Sequence, residues 1–408
     1  LIVILFAAFV ITLQFFYGRL LGRILSQRMH VLLPWILVLL NLPMVIYMGF
    51  RIAGLGMLGG PSWILYLARL GIFFQAMALA QILTCGLVSI YWKMWRQPKP
   101  SDLEIAGSKV DLERRSFLRK ASLGTVGLLA LAGGSGAVEA FGDPEIIRLD
   151  LHFPDLPEGF NGVRLVHLSD LHSGPMIGPK TLQRWRRLAE RERPDILAIT
   201  GDFVDSLPQE IQAFEHAFNA FSAPLGRYAI LGNHDYFTDP APIWESLKRM
   251  EFQCLENDHV VLERNGSRLA ILGLQDPMAR DGRFRGIHFG AGPMPKDVAL
   301  RIPRELWRLG LCHRPSNWNL ALEAGARLTL SGHTHGGQIN PVPGVSSARL
   351  LGPYISGLYR EGNDLLYVNR GLGVVGLPMR VAAAPEITVI TLRRSTNPSL
   401  HSSENQIA

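Results

Sequence analysis

Cysteine is scarce in this chain. Three thiols in 408 residues, Cys85, Cys254 and Cys312, are too few for a disulfide framework. They form no thiolate cluster, which excludes a cysteine-built structural zinc site. Cys85 falls in an apolar stretch, and Cys254 and Cys312 read as free, buried thiols. Interleaved basic and aromatic residues are also lacking, so the net charge of +7 does not point to nucleic acid. No internal repeat is evident. Charge is missing altogether from residues 1–17 and 31–50, and Arg69 is the only charge in residues 63–92.

Those uncharged stretches account for a hydrophobic fraction of 48% and a mean hydropathy of +0.16, high for a soluble enzyme. A membrane span takes about 20 apolar residues. Residues 1–95 therefore read as a transmembrane region of three helices. The first is shortened, and the opening Leu1 leads us to expect a missing true N-terminus. Trp35, Trp63, Tyr66, Tyr91, Trp92 and Trp95 lie near the span ends, where amphipathic rings anchor at an interface. Arg19, Arg23 and Arg28 follow the first span. Only Arg51 follows the second, and a dense basic stretch follows the third. The positive-inside rule makes the first and third of these connections cytoplasmic.

Residues 96–120 read as a basic cytoplasmic linker ending in Arg114-Arg115-Ser116-Phe117-Leu118-Arg119-Lys120. Residues 121–140 are mildly apolar. The pair looks like a twin-arginine export signal, here internal, and an uncleaved anchor is expected rather than cleavage near Val138-Glu139-Ala140. That topology places residues 141–393 outside the cytoplasm of a bacterial cell, on a multi-pass membrane protein. Residues 394–408 read as a disordered polar tail.

Residues 141–393 carry the chemistry. Five short segments stand out: Asp170-Leu171-His172, Gly201-Asp202-Phe203-Val204-Asp205, Gly232-Asn233-His234-Asp235, the lone His313, and Gly332-His333-Thr334-His335. Each follows an apolar run, at 163–168, 195–200, 227–231, 309–312 and 327–330, of the length and composition of a buried strand. Helical patterns at 179–193, 208–221 and 241–251 alternate with the strands, which indicates α/β architecture with a mainly parallel sheet. Ligands in such sheets bind beyond the carboxyl ends of the strands, where all five segments fall. Carboxylates, imidazoles and one amide are the donors of a site for two divalent ions, Mn, Fe or Zn. Two ions about 3.5–4 Å apart need a shared ligand, and Asp202, in a tight turn, is the best candidate. Such ions make a water nucleophilic near neutral pH.

The five motifs, in this order, resemble the metallophosphoesterase superfamily, the calcineurin-like phosphoesterases, over about residues 145–393. The resemblance implies a four-layer α/β/β/α sandwich, with its second sheet drawn from segments such as 269–272, 365–369 and 387–392. It implies one ion held by Asp170, His172, Asp202 and His335, and a second by Asp202, Asn233, His313 and His333. His234 would protonate the leaving oxygen, oriented by Asp205. Gly336-Gly337-Gln338, Asn369-Arg370-Gly371-Leu372-Gly373 and Pro378-Met379-Arg380 are similar to a membrane-associated branch that includes secreted bacterial phosphodiesterases and animal transmembrane members. Arg370 and Arg380 are expected either to contact substrate phosphate or to frame the second sheet. Protein phosphatases of the superfamily have Arg and Glu where Ser206 and Asp235 stand, so a phosphoprotein substrate is disfavoured, and Asp235 reads as a structural turn residue.

The expectation is a membrane-anchored hydrolase of a phosphodiester or pyrophosphate in a phosphorylated small molecule or a lipid-linked envelope substrate. Residues 275–306, with Asp276, Arg280, Arg283, Arg285 and Lys296, read as a long loop shaping its binding. One alternative is a hydrolase like the UDP-2,3-diacylglucosamine enzymes of lipid A synthesis, which needs a cytoplasmic site. Another is a non-catalytic metal-binding scaffold, which predicts lost ligands, whereas every position here is filled.

Overall fold

The computed structural model describes residues 138–281, 288–340 and 352–395, with scattered positions at 11–39, 135–136 and 346–350. The chain divides into two compact units, Leu1–Gly136 with Gly376–Pro378, and Ala137–Val375 with Met379–Ala408. The three apolar spans, the twin-arginine segment, Arg283, Arg285 and residues 396–408 of the expected tail lie outside the described residues, apart from isolated helical positions in the first two spans, while Arg394, expected in the tail, ends a strand. Among the described residues no helix is long and apolar enough to cross a membrane.

The second unit is built on two mixed sheets. The first runs in spatial order β1 (Glu145–Phe153), β12 (Glu386–Arg394), β2 (Arg164–Leu168), β3 (Ile196–Ile199), β4 (Arg227–Ala229) and β5 (Gln253–Cys254). The second runs β10 (Gly357–Glu361), β11 (Asp364–Val368), β9 (Leu328–Ser331), β8 (Trp307–Cys312), β7 (Ser267–Leu274) and β6 (Asp258–Arg264). Strands β2 to β5 pair in parallel, and so do β7, β8, β9 and β11.

Alternation along each strand explains the layers. On β2 and β3, Leu165, Ile196 and Ala198 face inward and join Leu309, Leu311, Leu328 and Leu330 of the other sheet in one core. Val166, Leu168, Leu197 and Ile199 face outward, onto helices α1 (Pro179–Arg191), α2 (Ile211–Phe218) and α3 (Ala241–Arg249). Helix α1 presents Leu182, Trp185 and Ala189 along one stripe, as an amphipathic helix must to cover a sheet. On the far side Ala270, Leu272 and Leu366 pack under Val298 and Trp318 of the helices Pro295–Arg301 and Trp318–Glu323. Strands buried on both faces read as continuous apolar runs, which is why they were visible in the sequence.

Three expectations need correction. The five motif strands do not share one sheet: β2, β3 and β4 belong to the first and β8 and β9 to the second. Residues 387–392, expected in the second sheet, form β12 in the first, parallel to β1 and antiparallel to β2. Residues 275–306 are not all loop, since helices form at Met278–Asp281 and Pro295–Arg301.

Candidate metal centre

The motifs lie just past the carboxyl ends of β2, β3, β4, β8 and β9, where the chain must turn sharply. Asp170, His172, Asp202, His333 and His335 all adopt positive φ, between 46° and 70°. A non-glycine residue in that region costs about 1–2 kcal/mol. The surrounding main chain holds the conformation: the Asp170 amide donates to the Gly201 carbonyl and the His172 amide to that of Asp202, each at 3.0 Å. The strain turns successive side chains toward one point instead of letting them alternate along a strand.

Two clusters result. In the first, Asp170, His172 and His335 bring one ligand atom each within 4.8 Å of the others. His172 Nε2 and His335 Nε2 face each other at 3.1 Å, and His335 Nε2 lies 3.4 Å from Asp170 Oδ1. In the second, Asp202, His313 and His333 converge likewise, with the Asn233 amide oxygen 3.1 Å from His313 Nε2. Asp202 Oδ2 stands between the clusters, 3.6 Å from His172 Nε2 and 3.4 Å from His313 Nε2. The site thus joins ligands from the ends of both sheets.

The tautomers follow from the outer hydrogen bonds. His313 Nδ1–H donates to the Thr200 carbonyl at 2.7 Å, which directs Nε2 at two oxygen acceptors, so that either a proton or a cation must lie between them. A cation would satisfy this arrangement, and likewise the two imidazole nitrogens that face each other in the first cluster. Electrostatics agree. Burial and the neighbouring His234 hold His172 down to about 3, and burial with His313 does the same for His333, so both stay in the neutral form that binds metal. Burial opposes protonation of His313 too, yet Asp202 and Asp170 outweigh it and push His313 up to about 10. Burial disfavours the Asp202 carboxylate, but His313 and His234 hold it well below the usual range. Excess negative potential, buried oxygen donors and neutral imidazoles fit two divalent ions.

His234 is the second residue of the short helix Asn233–Phe237, and its amide donates to Asp202 Oδ1 at 2.8 Å. Its ring packs edge-on to His172, with centroids 4.6 Å apart. Its Nδ1–H donates to the Asp205 main-chain carbonyl at 2.8 Å. The orienting bond therefore comes from the backbone of Asp205. The Asp205 carboxylate approaches His172 Nδ1 at 3.9 Å and accepts from Ser206 Oγ. Asp235 is buried, and its carboxylate accepts from the amides of Gly232, Asp202, Phe203 and Val204, tying two motif loops together.

Of the two roles open to Arg380, its surroundings favour the frame. Its guanidinium is wholly buried, donates to the carbonyls of Arg370, Gly371, Gly373 and Ala383, and approaches His335 Nδ1 at 3.2 Å. No donor remains for a ligand, and burial pulls this arginine down to about 10. Arg370 joins Glu386 at 2.6 Å and Glu145 at 2.7 Å, so it ties β12 to β1 and serves as frame. His167 is buried within β2 against the Thr200 hydroxyl, and burial raises both Cys254 and Cys312, as free thiols, to about 12. Sequence reasoning missed Arg314. It follows His313 directly and forms a two-point ion pair with the buried Asp276, at 2.7 and 3.1 Å. Adjacency to a ligand was the one available signal.

Comparison with known proteins agrees with this geometry. Residues 163–337 match the family described as Calcineurin-like phosphoesterase. The chain is 34% identical over 267 residues to a zebrafish (Danio rerio) protein named "Transmembrane protein with metallophosphoesterase domain", covering 64% of this chain and 60% of that one. It is 32% identical over 296 residues to the uncharacterized metallophosphoesterase YkuE of Bacillus subtilis, covering 70% of this chain and 99% of that protein. An uncharacterized metallophosphoesterase of Aquifex aeolicus is 29% identical over 59% of this chain and 89% of its own length. With the donor set converged and a relative matched end to end, the chain belongs to the calcineurin-like metallophosphoesterases, a family of phosphoric ester hydrolases.

Proposed function

We propose that this protein is a membrane-anchored hydrolase of phosphodiester or pyrophosphate bonds, acting outside the cytoplasm on an envelope or lipid-linked substrate. One observation carries the chemistry: Asp202 Oδ2 stands between two ligand clusters, with His234 alongside. Asp170, His172, Asp202 and His335 would hold one ion, and Asp202, Asn233, His313 and His333 the other. Two such ions, with Mn²⁺ the first to test, supply Lewis acidity at the phosphoryl group and a water nucleophile near neutral pH.

The residues of the chain do the rest. The Thr200 carbonyl fixes the His313 ring so that Nε2 points inward. The Asp205 carbonyl holds one His234 proton on Nδ1, so when the ring carries both protons Nε2 is the nitrogen that gives one up to the leaving oxygen. A positioned acid of this kind is worth about 10²–10⁴ in rate. Ser206 and Asp235 replace the phosphatase-type Arg and Glu, and Asp235 is fully engaged with backbone amides, which favours a diester over a phosphoprotein.

Membrane anchoring rests on the uncharged stretches of residues 1–95 and their basic flanks, and the zebrafish relative carries "transmembrane" in its name. The full chain, purified in detergent, should hydrolyse bis-p-nitrophenyl phosphate with Mn²⁺. His234→Ala should lose about 10²–10⁴ of that rate with metal content unchanged. Turnover that ignores metal and His234→Ala would sink the reading and favour a scaffold. A reporter active only in the periplasm, fused after residue 393, should be active. Activity of a cytoplasmic reporter alone would move the site to the inner face.

A further inference from the structure

The proposed reading leaves one charged group at the metal centre without a task. Arg314 is the residue after the ligand His313, at the carboxyl end of β8. Asp276 stands just beyond the end of the neighbouring strand β7. The Asp276 carboxylate is fully buried, and it grips Nε and Nη2 of Arg314 at 2.7 and 3.1 Å. The Arg314 side chain keeps 23% of its surface exposed. A side-on grip of this kind fixes the plane of the guanidinium and leaves the Nη1 edge for a second partner.

Location decides what that partner is. The sheet order places the ends of β7, β8 and β9 side by side, so Arg314 shares its edge with His313 and with His333. The helix Met278–Asp281, which follows Asp276, packs against the helix Asn233–Phe237 that carries His234. A cation that served only as a strap would not need to keep part of its side chain exposed beside a metal-binding cluster.

We propose that Arg314 is a substrate-positioning residue. Held by Asp276, it donates from Nη1 to a non-bridging oxygen of the phosphoryl group bound beside the second cluster. This deepens the phosphoesterase reading and rests on it for the substrate class. The ligand chemistry is a tetrahedral phosphoryl oxyanion, whether of the ester substrate or of free phosphate. Asp276 is a positioning residue that acts through Arg314.

The test uses the full chain in detergent, loaded with Mn²⁺, with inorganic phosphate as the probe in calorimetry and bis-p-nitrophenyl phosphate as the substrate. A charge-assisted hydrogen bond of this kind is worth about tenfold or more in affinity. Arg314→Gln should weaken phosphate binding by about that factor and raise KM for the diester more than it lowers kcat, with two ions still bound. Arg314→Lys should recover part of the affinity, because it keeps the charge and loses the two-point grip. Asp276→Asn should weaken phosphate binding less than Arg314→Gln does. Phosphate affinity within twofold of wild type in Arg314→Gln overturns the proposal. So does a loss of bound metal that accounts for the whole defect. If the wild type binds phosphate through Arg314 but cleaves no diester, the functional reading falls and this one stands.

Discussion

Gly232→Ala isolates the geometry of the shared carboxylate. Gly232 has φ −102°, a backbone that alanine adopts freely, so conformational strain contributes nothing. Space is the whole issue. A Cβ at position 232 would lie 2.2 Å from Asp202 Oδ1, 2.6 Å from the Asp202 amide nitrogen and 2.7 Å from His313 Cε1. Contacts of this kind normally open to about 3.4 Å or more, so neighbours must yield by about an ångström. None is a flexible chain end: one is backbone, one a buried carboxylate oxygen that accepts the His234 amide, and one the ring of a ligand. Overpacking of this sort costs about 1–3 kcal/mol, which a domain of this size survives. Catalysis is less tolerant, since misplacement by about 1 Å can cost about 10²-fold.

The expected outcome is a folded protein with at least about 10²-fold lower kcat/KM on bis-p-nitrophenyl phosphate and weakened binding of the second ion. Circular dichroism, elemental analysis and initial rates at several Mn²⁺ concentrations read these three effects separately. Gly178→Ala is the control, because nothing lies within 4 Å of its Cβ position. It caps the helix Pro179–Arg191, so it should cost less than about 1 kcal/mol and leave the rate unchanged. A Gly232→Ala enzyme with kcat/KM within threefold of wild type would show that Asp202 and His313 are not fixed in this way.

Two further outcomes follow from buried groups. Arg380→Met removes every donor facing the carbonyls of Arg370, Gly371, Gly373 and Ala383. Unmet buried acceptors cost about 1–3 kcal/mol each, so the melting temperature should fall sharply in Arg380→Met. A stable variant with a raised KM alone would restore the substrate role. His167 is buried and held down to about 3 by burial, against an unfolded value of 6.5. Below pH 6.5 the unfolded chain takes up a proton that the folded chain refuses. Stability from this group is therefore fully present above pH 6.5 and is lost toward pH 3, at about 1.4 kcal/mol per pH unit. Denaturant titrations of His167→Gln should show a shallower acid slope than wild type, and equal slopes would refute the assignment.

Much of this was legible before the structure. Strands buried on both faces announce themselves as apolar runs, and a ligand motif after each run marks a sheet edge. What could not be read was the partner of each strand. Residues 387–392 look like any buried strand, and nothing local tells that they close the first sheet between β1 and β2. The division of the five motifs between two sheets escaped for the same reason. Roles carried by the main chain were also invisible: the carbonyl of Asp205, not its carboxylate, receives the His234 hydrogen bond. Nothing in the sequence chooses between substrate contact and frame for Arg380, because the choice depends on burial, and here it fills the space behind His335. The left-handed backbone at five ligands had no signature, since aspartate and histidine tolerate it without demanding it.

The division between sheets has a consequence for stability. Asp170, His172 and Asp202 stand at the edge of the first sheet, and His313, His333 and His335 at the edge of the second. Each cluster draws from both, so each ion would clamp the two sheets across the open end of their shared core. Binding to the folded state alone contributes about 2.7 kcal/mol per ion at a hundredfold excess over Kd. Two ions then raise the melting temperature by about 10–20 °C, at about 2–4 °C per kcal/mol for a domain of this size. A chelator should reverse the rise. The clamp also makes a sharper demand: His172→Ala, from the first sheet, and His335→Ala, from the second, should each abolish the increment due to the first ion and leave the metal-free melting temperature within a few degrees of wild type. If only one of them did so, the first ion would be held by one sheet edge, and the arrangement of Asp170, His172 and His335 around a single point would not describe the bound state.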